Sequence, residues 1–147
     1  MTASRFRPVA VLPLMMAVAA CAVNPRDELQ VPRVSVTVTG AAVRILWQPE
    51  GAQLVRVYLG TRAGDGYGES LMWSVAANSK NSLRSGLVYG EPPANGTTDV
   101  PARPLVSSST YTIEVTRADP KGLGDGFTNT SNRYVGTAPL VYGRTLP

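Results

Sequence analysis

The chain has 147 residues, 44% hydrophobic and 16% charged, with a formal charge of +4, one cysteine and no histidine. That length allows one ordinary domain with a core of its own. The lone cysteine excludes a disulfide within the chain, and the lack of histidine removes the commonest general base at neutral pH.

Arg5 and Arg7 open the chain, an apolar run follows from Pro8 to Ala20, and small residues precede Cys21. A basic start, a short apolar stretch and a small-residue cleavage site are the order of a secretory signal peptide. The run is shorter than the roughly 20 apolar residues of a membrane span, and Pro13 would kink such a helix. Val18-Ala19-Ala20-Cys21 resembles the lipobox of bacterial lipoproteins. The resemblance implies lipidation of Cys21 and cleavage before it, so that residues 1–20 are a leader and the mature protein is held to the membrane of the cell envelope. Ala22 replaces the aspartate that retains such proteins at the inner membrane, which implies sorting to the outer membrane, facing the periplasm or the cell surface. Loss of the leader takes the chain from 147 residues at +4 to 127 residues at +2. Lysines and arginines form no cluster in any short window, so nucleic acid is not an expected partner.

Residues 21–31 read as a tether, polar and interrupted by Pro25. From residue 32 the period becomes two. Val34, Val36 and Val38 alternate with Ser35, Thr37 and Thr39, a half-buried strand. A turn at Gly40 leads to a second strand with Val43, Ile45 and Trp47 on one face, stopped by Pro49-Glu50-Gly51. Leu54 to Leu59 is a third, with Val55 and Val57 opposite Arg56 and Tyr58. The Gly-rich stretch from Ala63 to Gly68 reads as a loop. Leu71 to Val75 reads as a strand, Leu83 to Tyr89 as a short one, and Glu91 to Gly96 as a rigid loop closing on an Asn-Gly turn. Tyr111, Ile113 and Val115 alternate with Thr112, Glu114 and Thr116 in a strong strand. A long hairpin connection from Ala118 to Gly126 leads towards a final strand at Arg133-Tyr134-Val135, and residues 139–147 read as a loose tail. Short strands with turn signals between them predict an all-β chain, an antiparallel β-sandwich over residues 32–138.

Leu105-Val-Ser-Ser-Ser-Thr-Tyr111-Thr-Ile113-Glu-Val115 resembles the sixth-strand signature of fibronectin type III domains, in which a leucine precedes a tyrosine by six positions. Ile45-Leu46-Trp47-Gln48-Pro49 resembles that family's second strand, and Gly126 to Thr137 the approach to its last. The resemblance runs from Val31 to Ala138 and implies an immunoglobulin/fibronectin type III-like sandwich. It also implies a Tyr111 ring filling the sandwich corner with its hydroxyl bonded back to upstream backbone. Between Gly60 and Gly90 the chain is longer than the family pattern.

The residues offer little to an enzyme. Ser79-Lys80 is a formal Ser-Lys pair, but neighbouring strand residues point to opposite faces and no glycine elbow surrounds any serine. Gly64-Asp65-Gly66-Tyr67 and Gly124-Asp125-Gly126-Phe127 share a phrase that could place aspartate and carbonyl oxygens on calcium. Neither has Asp-x-Asp-x-Asp spacing, and Asp-Gly is a common turn pair, so both read as turns and no metal or cofactor is expected. Asn95-Gly-Thr97 and Asn129-Thr-Ser131 match glycosylation acceptors but read as turns in a bacterial-type chain. Trp47 and Tyr111 are expected in the core. Tyr67, Trp73, Tyr89 and Phe127 fall in or beside the irregular middle and the glycine loops, where an exposed aromatic serves as an interface anchor and a packed one caps the sandwich. The functional expectation is a non-catalytic accessory module that binds an envelope protein. The alternatives are a glycan- or peptidoglycan-binding lipoprotein using those four aromatics, and a secretion-system lipoprotein anchoring a larger complex at the outer membrane.

Overall fold

The computed structural model describes residues 29–60, 70–121 and 133–143, and among them there is no helix. Eight strands form: β1 (Arg33–Thr39), β2 (Ala42–Gln48), β3 (Leu54–Leu59), β4 (Leu71–Ala77), β5 (Leu87–Val88), β6 (Gly96–Val100), β7 (Thr110–Ala118) and β8 (Arg133–Val141). They make two sheets, β1-β2-β5 and β6-β4-β3-β7-β8, with every strand pair antiparallel. Val43, Ile45 and Trp47 from the first sheet meet Val57, Trp73 and Ile113 from the second in one core, a β-sandwich-like arrangement.

Alternation explains which side chains meet there. Val55 and Val57 stand opposite Val75 and Trp73 on one side, and opposite Val115 and Ile113 on the other. All six therefore project inward, because cross-strand partners share a face. The outward residues of β8 are exposed, whereas Leu54, Tyr58, Ser74, Glu114 and Thr116 of the three middle strands are buried although they alternate away from the core. Glu114 lies beneath Arg56 there, 3.6 Å from its guanidinium.

Three elements differ from the sequence reading. β6 (Gly-Thr-Thr-Asp-Val) has no alternating apolar face and is set by its pairing to β4. β8 continues through Pro139, Leu140 and Val141, so the loose tail begins later than residue 139. An edge strand accepts Pro139, whose missing N–H need not face β7, while Leu140 turns inward opposite Tyr111. The end of the tether is docked where it joins the domain: Gln30 accepts from Arg117 at 3.0 Å, the nearby Pro32 is buried, and a Cβ at Gly136 would collide with the Pro32 carbonyl.

The strand directions give the sandwich two poles. At one pole lie the starts of β1, β3 and β8, the ends of β4 and β7, and residues 78–82 and 119–121. At the other lie the β1–β2 turn at Gly40, the end of β3 at Leu59 with Gly60 after it, Ser70, and Ser108 bonded to Tyr142.

Candidate functional site

Trp73 is not a surface anchor. Its register opposite Val57 turns it inward, and it is 0% exposed. Tyr89, which follows β5, donates from its hydroxyl to the Arg103 carbonyl at 2.7 Å and sets its ring against Trp73, centroids 5.3 Å apart in an edge-on contact at 61°. Its own N–H bonds to the Val43 carbonyl of β2. The pair therefore ties one sheet to the other, and Tyr89 is half-buried. Burial, reinforced by the neighbouring Tyr111, pushes the Tyr89 phenol up to about 12.

Tyr67 and Phe127, the other two aromatics proposed as anchors, lie outside the described residues, as do Cys21 and both Gly-Asp-Gly-aromatic turns. The chain leaves the described structure at Gly60 and Lys121, which belong to opposite poles. The structure thus brings Trp73 and Tyr89 together in packing and places neither on an open surface beside the segments that carry the other two.

Trp47 and Tyr111 sit in the core as the alternation requires, at 1% and 0% exposure. The Tyr111 hydroxyl accepts from the Val106 N–H at 2.7 Å, five residues upstream, and Leu105 packs against the core beside it. Lys80 donates to the Pro120 carbonyl at 3.3 Å, and Ser79 uses its N–H on the Ser82 hydroxyl. Among the described residues no three His, Cys, Asp or Glu side chains gather as metal ligands.

Two polar side chains with structural partners, Arg117 buried and Asn81 half-buried, escaped the sequence reading. Arg117, 7% exposed, donates from Nε to the Gly51 carbonyl at 2.8 Å and from Nη1 to Gln30 Oε1 at 3.0 Å. Desolvation lowers its pKa from the ordinary arginine value. The signal was available: Arg117 is in phase with Tyr111, Ile113 and Val115, so period two carries it to the inward face. Asn81, at φ 53°, uses its amide to accept from the Ala118 N–H and donate to the Ala118 carbonyl, both at 2.8 Å. Nothing local predicts that partner, 37 residues away. Its carbonyl also explains Gly51, since a Cβ there would meet it at 2.7 Å.

Compared with known proteins, the chain matches no family model, no curated protein and no solved structure.

Proposed function

We propose that this chain is a non-catalytic, lipid-anchored module of the cell envelope that works by contact with an envelope protein. Val18-Ala-Ala-Cys21 behind a basic start and an apolar run is the observation that carries the anchor. The domain type is immunoglobulin/fibronectin type III-like. Support for it comes from the order β1-β2-β5 and β3-β7-β8, which follows the A-B-E and C-F-G order of such sandwiches, with β4 and β6 added beyond β3. The Tyr111 hydroxyl bonded five residues upstream supports the same reading, since such domains carry a corner tyrosine.

Glycan recognition through Trp73 or Tyr89 loses ground on this geometry, because Trp73 is buried and Tyr89 is committed to Arg103. Contact through loops and strand edges does not depend on them. The same reading accommodates a lipoprotein that anchors a larger secretion complex at the outer membrane.

Fractionation and capture test the proposal together. The wild-type chain should partition wholly with membranes and incorporate labelled palmitate, and Cys21→Ser should be released or left unprocessed. A membrane-bound Cys21→Ser protein of unchanged mass overturns the anchor. Crosslinking in the native membrane followed by mass spectrometry should identify an envelope protein, whereas retention on purified peptidoglycan alone returns the glycan reading.

A further inference from the structure

We propose that Asn95 is a self-modification site: its side-chain amide closes onto the Gly96 nitrogen and is converted, without an enzyme, to aspartate and isoaspartate. The inference is independent of the anchor and of any partner. Asn95 lies in the turn before β6 and is exposed. Among the described residues nothing bonds its side-chain amide. Its backbone carbonyl is the engaged group, accepting from the Asn78 N–H at 3.1 Å and the Ser82 hydroxyl at 2.8 Å. The nucleophile is free as well. Asn78 bonds to Asn95 and Ala76 pairs with Thr97, and bonded pairs alternate along an antiparallel ladder. Between them Ala77 turns its N–H to the Gln53 carbonyl on the β3 side, at 2.9 Å. Gly96, opposite Ala77, therefore aims its own N–H away from β4, at the outer edge of the five-stranded sheet.

The packing itself demands the glycine. A Cβ at residue 96 would collide with the Ala76 carbonyl and come within 2.7 Å of Leu83 Cδ2, and Leu83 is fully buried. A side chain is thus excluded there, so the amide that follows Asn95 has nothing to shield it. The two donors on the Asn95 carbonyl polarise the same peptide bond and make the Gly96 N–H more acidic. Asn78 and Asn81 differ, since each precedes a serine, and both amide atoms of Asn81 are committed to Ala118. The step balances with water alone. The Gly96 nitrogen gives its proton to solvent and attacks Asn95 Cγ; the new C–N bond forms, the Cγ–Nδ2 bond breaks, and the nitrogen leaves as ammonia with a proton from water. Water then opens the five-membered imide at either carbonyl. Opening at Cγ restores the main chain with an aspartate. Opening at the former main-chain carbonyl gives isoaspartate, which routes the chain through the side chain and adds a methylene ahead of β6. Both products add a negative charge. The second also displaces the carbonyl that holds Asn78 and Ser82, and β6 has no apolar face to keep it in place.

The test incubates the full-length folded protein in mildly alkaline buffer and follows it by intact mass and peptide mapping. The peptide containing Asn95 should give way to two products, each heavier by the difference between an oxygen and an NH group. One of them should accept a methyl group from an isoaspartate-specific methyltransferase. Peptides containing Asn78 and Asn81 should stay native over the same period. The rate should rise in proportion to hydroxide and be lost in Asn95→Gln, whose longer side chain would need a six-membered ring. In the isoaspartate form, hydrogen exchange at the Asn78 amide should quicken. An Asn95 peptide that stays native in the folded protein but converts in urea overturns the proposal, because the fold would then hold amide and nitrogen apart. Conversion of Asn81 at the same rate as Asn95 also overturns it, because a doubly bonded amide would then be no better protected than a free one.

Discussion

The ladder from β7 to β8 and the segment between β4 and β7 hold their shape by different means. In the ladder, Thr110 to Ala118 pairs residue by residue with Arg133 to Val141, and the inward members Tyr111, Ile113 and Val115 are fully buried. Its order follows from a repeating pattern, so each residue reinforces its neighbours. The segment from Asn78 to Ser109 contains only the short strands β5 and β6. Beside the β4–β6 pairing and scattered backbone bonds such as those between Leu83 and Ala52, bonds between side chain and backbone hold it: Asn81 to Ala118, the Trp47 N–H to the Ser85 hydroxyl, the Ser85 N–H to Glu50, and the Tyr89 hydroxyl to Arg103. Periodic burial spreads stability over many contacts, whereas an irregular segment concentrates it in a few polar groups whose loss leaves a partner unsatisfied.

The largest expected effects belong to the buried tryptophans. Trp47→Ala and Trp73→Ala should each cost roughly 3–5 kcal/mol in urea melts, against a total of about 5–15 kcal/mol for an ordinary domain. A Trp73→Ala cost below about 1 kcal/mol would mean that its side chain is open to solvent after all.

Asn81→Ala should come next, at about 2–3 kcal/mol, because it strips both backbone groups of Ala118 of a partner. Hydrogen exchange should show faster opening at Ala118 while the amides of Ile113 and Val115 stay protected. Uniform acceleration across β7 would erase the contrast between the two regions.

Tyr111 stands at the seam, with its ring in the ladder and its hydroxyl on the loop. Tyr111→Phe keeps the ring and frees the Val106 N–H, so a cost of about 1 kcal/mol is expected. A cost comparable to the tryptophans would mean that the hydroxyl, rather than the ring, organises the corner.

The smallest effect is read in pH. Tyr89 is raised to about 12 from an ordinary 10.0, so the folded protein binds this proton more tightly than the unfolded chain. Its contribution is whole below pH 10 and is lost as pH rises from about 10 towards 12. The wild type should lose stability over that window more steeply than Tyr89→Phe, and identical slopes would place the phenol in open water.

Wherever one face of a strand is apolar, the fold was legible. The period of two in Val34 to Thr39, Val43 to Trp47, Leu54 to Leu59 and Tyr111 to Thr116 identified four strands and put Trp47 and Tyr111 in the core. β6 was not legible, since Thr97, Thr98 and Asp99 carry no apolar alternation and become a strand only because β4 offers an edge. Trp73 was misjudged among the binding candidates for a related reason. Its neighbours suit a strand, but which face turns inward depends on pairing with Val57, and a one-residue slip would reverse it.

By itself the sequence determined the all-β class and the strands with an apolar face, and it raised the expectation of a leader over residues 1–20 ahead of Cys21. These depend on local order: period two, turn residues and the succession of basic, apolar and small side chains. Only the tertiary structure decided the division into sheets of three and five strands, the burial of Trp73, and the meeting of Asn81 with Ala118. Those features join residues tens of positions apart, and chain separation carries no information about distance until the strands have paired.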